Sequence, residues 1–179
     1  FGRYQGKGGF PVSSFLMRAA AALHYGDYNI LLTGYLTDHS RMMIHRRIRE
    51  RLETLAPYLR WDEDPYLVIT PEGREVWVAD AYSLSDAYPS SREISAYDGI
   101  NYIRNSVKAT VDAYSGKVTL YAWDATDPIL KTWEKIFPST VKPMKDMSPD
   151  LLSHVRYPAD MFKVQRAILG EYHVTDPDT

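Results

Sequence analysis

The alternation of apolar and polar positions divides the chain into a helical beginning, a strand-rich middle and a helical end. After Ser13, Leu16, Ala20 and Leu23 recur at helical spacing, and Gly26 supplies a stop. The stretch 28–37 suits a strand or a short buried helix, and its periodicity does not separate the two. A further helix is predicted from a cap at Asp38 or Ser40. Ile44, Ile48, Leu52 and Leu55 share its apolar stripe, and Pro57 closes it. Arg51 falls inside that stripe, so its stem must snorkel or its guanidinium must find a partner.

From residue 66 the period changes to two. Runs 66–70 and 75–83 flank Pro71-Glu72-Gly73-Arg74, a hairpin signal, and runs 106–114 and 117–123 flank Ser115-Gly116. Val107, Ala109, Val111 and Ala113 alternate with Lys108, Thr110, Asp112 and Tyr114, which predicts one buried sheet face. Asp127-Pro128 opens a helix carrying Leu130, Trp133 and Phe137 and ending at Pro138, and Ser148-Pro149 repeats the device. Pro158 opens the last helix, with Met161, Phe162, Gln165, Ile168 and Leu169 before Gly170 as the stop. This order predicts an α+β fold: an antiparallel sheet of two hairpins, about four strands, with N-terminal and C-terminal helices packed on one face. The glycine-rich residues 1–11 read as linker or loop, 12–175 as a single domain and 176–179 as a tail.

Charge changes the picture more than length does. The 179 residues carry 21 Lys and Arg against 23 Asp and Glu, a balance of −2 that gives no reason to expect nucleic acid as a partner. That near-neutrality hides two opposed blocks. Residues 41–60 hold six Arg and two Glu, and residues 61–98 hold nine acids and two Arg. The basic block is open to two readings: a helix resting on anionic lipid headgroups, or a solvated face neutralised by the neighbouring acidic hairpin. The 14 Tyr and 4 Trp suit half-buried surfaces and interfaces. Cysteine is absent, which removes disulfides and thiolate chemistry, and no stretch approaches the roughly 20 apolar residues of a spanning helix. The chain starts at Phe1 and reads as a piece excised from something longer.

No cofactor or metal motif stands out. Asp62-x-Asp64 resembles the start of a calcium loop, but Leu67 and Gly73 occupy the glycine and closing-glutamate positions, so a capped turn is expected instead. Gly-Lys-Gly-Gly at 6–9 lacks the Ser or Thr of a phosphate loop, and the five histidines fit no metal spacing. Two polar strings are denser than structure requires: Asn101 to Lys108, with Arg104 and Asn105, and His154-Val155-Arg156-Tyr157-Pro158. Their Arg, Asn and His groups suit a carboxylate or phosphate ligand. Equally, Arg104 and Arg156 suit internal pairs with Asp80 or Asp112, which would tie sheet to helices. The candidate ligand-binding or structural network is therefore Asp80, Asn101, Arg104, Asn105, Lys108, Asp112, His154, Arg156 and Tyr157.

The same strings carry a resemblance. Ser40-Arg41 with the Arg-rich helix ending Leu55-Ala56-Pro57, Asp62-x-Asp64-Pro65-Tyr66, Gly73 then Trp77, and Asp80-Ala81-Tyr82 occur in order. They are followed by Asn101 through Lys108, Val111-Asp112-Ala113-Tyr114, Asp127-Pro128, Phe137-Pro138 and His154-x-Arg156-Tyr157-Pro158. Together they resemble uncharacterised protein family 0182, found in actinobacteria and also in clostridia and cyanobacteria. Ser83-Leu84-Ser85 departs from the Thr-Thr-Ser expected there. The resemblance implies a bacterial parent with several N-terminal transmembrane helices and a long extracytoplasmic region to which this segment belongs. It implies no established activity and no catalytic residues. The expectation is a non-catalytic binding or scaffolding domain at the cell membrane, contacting the rest of its parent, an envelope protein, lipid headgroup or glycan. The alternatives are an enzyme acting on envelope polymers, with His154, Asp80 or Asp112 as acid–base groups, and a carbohydrate-binding domain using Trp77 or Trp123.

Overall fold

The computed structural model describes residues 4–93 and 99–173; the predicted tail, the first three linker residues and part of the acidic block lie outside them. A short strand β1 (Phe10–Pro11) precedes helix α1 (Phe15–Tyr25) and a single turn of helix α2 (Asn29–Leu32). Strand β2 (Arg41–Met42) pairs antiparallel with β1, and helix α3 (Ile48–Leu55) follows. The main sheet contains β3 (Arg60–Trp61), β4 (Tyr66–Ile69), β5 (Glu75–Ser85), β6 (Tyr102–Asp112), β7 (Val118–Ala122) and β8 (Val141–Pro143). Helix α4 (Pro128–Ile136) joins β7 to β8, and α5 (Pro149–Ser153) and α6 (Ala159–His173) end the described chain.

Both predicted hairpins are present, β4–β5 and β6–β7, and the long antiparallel β5–β6 ladder joins them. Two features correct the expected four-stranded antiparallel sheet. Short β3 pairs with β5 beyond the end of β4, and β8 pairs parallel to β7, giving six strands in a mixed sheet among the described residues. A parallel neighbour needs a crossover, which α4 provides. The second correction concerns the covered faces. Ala79, Ala81, Val107, Ala109, Val111, Leu120 and Ala122 form one face, packed against Leu52 of α3, Leu130 of α4, Leu59 and Trp61. The opposite face is buried too. Tyr66, Val68 and Val78 meet Leu151 of α5 there, and Lys108 and Thr110 are buried. Helices therefore cover both faces, and the alternation of Val107, Ala109 and Val111 with Lys108 and Thr110 separates two interiors rather than inside from outside. Ala113 lies beyond the end of β6 and is exposed.

The helix ends follow local chemistry where a cap is available. Ser14 accepts from the Met17 amide to start α1, and Gly26 closes it in the left-handed conformation. Ser148 caps α5 in the same way, with Pro149 in its first turn. The predicted helix from Asp38 or Ser40 begins nine or seven residues late, at Ile48. Ser40 instead closes a turn by accepting from the Thr37 amide, residues 41–42 enter the β1 pairing, and His45 turns the chain at φ 47°. Arg51, the misfit of the apolar stripe, finds three carbonyl partners: His45, Gly116 and Ile44 at 3.0, 3.0 and 2.9 Å. Gly116 sits at φ 69°, and a Cβ there would lie 2.9 Å from the guanidinium carbon, so glycine permits both the turn and the contact. The stretch 28–37 forms a short exposed helical turn, neither a strand nor a buried helix. Gly170 does not stop α6, which continues to His173.

One buried carboxylate fixes the crossover. Asp127 is inaccessible to solvent and caps α4 through the amides of Ile129 and Leu130. It also accepts from the hydroxyls of Tyr102 and Ser106 on β6, at 2.6 and 2.5 Å. Burial opposes its ionisation, but those hydroxyls and the Ile129 amide outweigh it and hold the carboxyl below its ordinary 3.8. Burial, and next this bond to Asp127, push the Tyr102 phenol up to about 12. A lowered folded value means that the Asp127 contribution is complete above 3.8 and is lost as pH falls through the folded value. Asp127→Ala removes a cap and leaves two hydroxyls without their acceptor. It should lower unfolding free energy by about 3 kcal/mol at pH 7 in urea titration. Asp127→Asn should flatten the loss of stability below 3.8 relative to the parent chain.

Candidate functional site

A cleft of about 500 Å³ opens between the β6 entry and the segment joining α5 to α6. Its floor is the second face of the sheet, where Asp80 on β5 stands directly opposite Lys108 on β6. The Lys108 ammonium donates to Asp80, and both side chains are almost wholly buried. Burial pushes the Asp80 carboxyl up, against the pull of Lys108 and Asn105. Asn105 donates to Asp80 Oδ1 at 3.0 Å and to the Ala81 carbonyl at 3.3 Å.

A register shift makes this third contact possible. Ala81 pairs with Val107, but Tyr82 pairs with Asn105, so Ser106 is the extra residue of a β-bulge. In unbroken alternation Asn105 would share the Val107 face. The bulge moves it to the Lys108 face, and the Ser106 hydroxyl meets Asp127. Above the pair, Lys108 Nζ lies 4.7 Å from the centre of the Trp123 ring and 3.5 Å from the Arg156 carbonyl.

The walls bring together the two polar strings. Arg104, Asn105 and Lys108 line the cleft from β6, and Arg156 and Tyr157 line it from the α5–α6 segment, with Trp123 between. Arg104 reaches Asp124 at 3.3 Å and the Thr126 hydroxyl at 3.3 Å. The Arg156 guanidinium lies over the Tyr66 ring at 4.6 Å, and the Arg156 amide donates to the Tyr66 hydroxyl at 3.1 Å. Tyr157 donates to Gln165 of α6 at 2.7 Å. The expected internal pairs are thus different ones: Asp80 takes Lys108, Asp112 takes Arg74, and Arg104 takes Asp124.

Four of the nine candidates lie outside the cleft lining. Asp80 is beneath its floor. Asn101 exchanges two 2.9 Å bonds with the Tyr88 backbone and so pins the loop after β5. Asp112 is at the far end of β6. Burial raises its carboxyl, yet bonds from Ser115 and Arg74 leave it below its ordinary value. His154 turns its Nδ1 to the Asp150 carbonyl at 2.8 Å. Trp123 and Gln165 belong to the cleft and were absent from the candidate network; Trp123 was singled out only for the carbohydrate-binding alternative.

Chemically, the lining offers cationic donors, an aromatic ring and a phenol, and no carboxylate. This suits an anion or a polar ring carrying one. His154, Asp80 and Asp112 do not converge on a common opening, as acid–base partners must. Asp62 closes a turn through the Asp64 amide and also accepts from Tyr82 and from the Asp160 amide, tying β3 and β5 to α6. Among the described residues no group of three His, Cys, Asp or Glu is placed to hold a metal. Removing one partner of the buried pair strands the other charge. Lys108→Ala should cost about 3–5 kcal/mol by urea unfolding, and Asp80→Leu with Lys108→Met should recover most of it.

Comparison with known proteins converges on one family. Its sequence profile, described as an uncharacterised protein family (UPF0182), matches residues 1–179. A UPF0182 protein of Clavibacter sepedonicus is 55% identical over 177 residues, covering 97% of this chain and 18% of that protein. One from Solibacter usitatus is 50% identical over 179 residues, covering 99% of this chain and 20% of that protein. A Frankia alni relative is 48% identical over 193 residues, covering 97% and 19%. The chain thus spans about one fifth of the length of the curated relatives it matches. No solved structure matches it. Among the described residues no helix is long and apolar enough to cross a membrane. With its whole length matched and half its residues shared with such relatives, the chain belongs to the uncharacterised protein family UPF0182.

Proposed function

We propose that this chain is a non-catalytic binding or scaffolding module on the extracytoplasmic side of a bacterial multi-pass membrane protein. The observation that carries the reading is the convergence of the 101–108 and 154–158 strings on one basic, aromatic cleft. A rigid floor supports it, because the Asp80–Lys108 pair and Asn105 are fixed by the sheet register. Arg104 and Arg156 supply directional donors at the rim, and Trp123 supplies a flat apolar surface. The chemistry favours an acidic segment of an envelope polymer or envelope protein. The overall charge of −2 gives no reason to expect nucleic acid. The enzymatic alternative loses support from the separation of His154, Asp80 and Asp112.

Two measurements test the reading. In the full-length parent, a cysteine at exposed Glu72 in the β4–β5 turn should react with a membrane-impermeant maleimide in intact cells. Labelling only after lysis would refute the extracytoplasmic location. For the cleft, the chain should co-sediment with purified anionic cell-wall polymer, and Arg104→Glu with Arg156→Glu should reduce binding at least about tenfold. A glycan array separates the carbohydrate reading: binding to neutral sugars that survives the charge reversals but vanishes with Trp123→Ala would replace an anionic ligand with a stacked ring. Absence of binding in both assays would remove the cleft from the proposal.

A further inference from the structure

We infer that the α1–α2 hairpin and the adjoining arginines form a docking surface for an anionic phospholipid bilayer. Helix α1 packs in reverse of its amphipathic pattern. Ala21 and Ala22 are buried, whereas the stripe expected to face the core is turned outward, with Leu16 77% and Leu23 82% exposed. The display continues through α2 and the following turn, where Leu32 is 82% and Tyr35 92% exposed, with Tyr28 also outward. Isolated exposed leucines are ordinary, but large apolar groups concentrated within 21 residues of one hairpin indicate a missing apolar environment.

The hairpin is anchored rather than loose. Arg18 donates to the Val12 carbonyl at 2.9 Å and to the Leu36 carbonyl at 3.1 Å, bracing the base of the hairpin. Val12 is buried, and its amide donates to the Ser40 carbonyl at 3.1 Å. The outward groups are therefore presented on a held scaffold.

Charge selects the occupant. Of the basic block, Arg41 and Arg51 are spent on backbone carbonyls, and Arg49 pairs with Glu53 at 2.7 Å. Arg49 also lies 4.0 Å from Glu63 of the acidic block, so neutralisation between blocks accounts for that arginine. Arg46 and Arg47 are exposed and make no ion pair among the described residues. Arg46 flanks one groove with His24, Tyr25 and Ile30, which places a free cation beside the apolar hairpin. Asp27 and Glu50 border the same groove, with Glu50 engaged by His45 at 2.9 Å. Apolar groups exposed on the hairpin, with Arg46 beside its Tyr25 and Ile30 and exposed Arg47 next in the chain, match the boundary between acyl chains and anionic headgroups. An apolar protein partner would satisfy the leucines but would leave both guanidinium groups unused.

Co-sedimentation of the 179-residue chain with vesicles tests this. Vesicles of phosphatidylcholine with 30 mol% phosphatidylglycerol (about that fraction gives a clear surface potential) should carry the chain down, and pure phosphatidylcholine vesicles should carry much less. Leu23→Ser with Leu32→Ser should reduce partitioning about tenfold. Arg46→Glu with Arg47→Glu should reduce it about 25-fold on the anionic vesicles. Both pairs are surface changes, and an unchanged circular dichroism spectrum confirms that the sheet is intact. No sedimentation with anionic vesicles, or equal sedimentation with neutral ones, overturns the inference. So does a concentration-dependent dimer abolished by the leucine variants. A cysteine at Leu23 in the full-length parent should be shielded from maleimide in membranes and labelled in mild detergent. Shielding that persists in detergent would mean that the rest of the polypeptide covers this face, and would also overturn it.

Discussion

A buried cation and a buried carboxylate face each other across the two central strands, and much of the fold follows from keeping them dry and paired. Lys108 and Asp80 lie at the centre of the β5–β6 ladder, where neither could be left alone without a large desolvation penalty. Asn105 supplies another donor to the carboxylate. Trp123 and the Arg156 carbonyl close the space above the ammonium. These demands explain why the second sheet face is covered at all. A sheet whose outer face carried an exposed Lys and Asp would need only water, whereas this one needs the α5–α6 segment in place.

That cover is fastened by polar bonds more than by apolar bulk. Tyr66 serves this cover twice: its ring supports the Arg156 guanidinium, and its hydroxyl accepts from the Arg156 amide. Tyr82 and Asp62 hold the first turn of α6 through the amides of Met161 and Asp160. Burial pushes the Tyr66 and Tyr82 phenols up, so both stay protonated donors or acceptors across the ordinary pH range. The opposite face works differently. Ala79 and Ala81 of β5 and Ala109 of β6 let Leu52, Leu59 and Leu130 approach closely, and Tyr58 stacks on Trp133 at 4.4 Å. One face is an apolar core, and the other is a polar joint that ends in a cleft.

The cleft and the outward hairpin lie on different parts of this architecture and use different chemistry. The cleft offers directional donors over a fixed floor. The hairpin offers apolar side chains with unpaired arginines beside them. The curated relatives from Clavibacter sepedonicus and Solibacter usitatus are about five times as long as this chain.

The local elements were largely legible because their signals are local. Hairpin turns, the Asp127 cap and proline first turns depend on neighbouring residues, and they form where expected, while α1 starts after Ser14 and not directly after Ser13. The convergence of the 101–108 and 154–158 strings was legible only as unusual polar density. Which acid met which base was not, because Asp80 could reach Lys108 only through a strand register that a single bulge at Ser106 then altered. The short strands β3 and β8 carry too few residues to show a period, and β8 depends on the α4 crossover for its partner. The α1 stripe was legible as one helix face, but amphipathicity gives the direction of apolarity and not its destination. By itself the sequence determined the element types, the family and the candidate residues, since these rest on spacing and identity along the chain. Only the tertiary structure decided that both sheet faces are interiors, that the leucines of α1 point outward, and which charges are paired, since these depend on contacts between residues far apart in sequence.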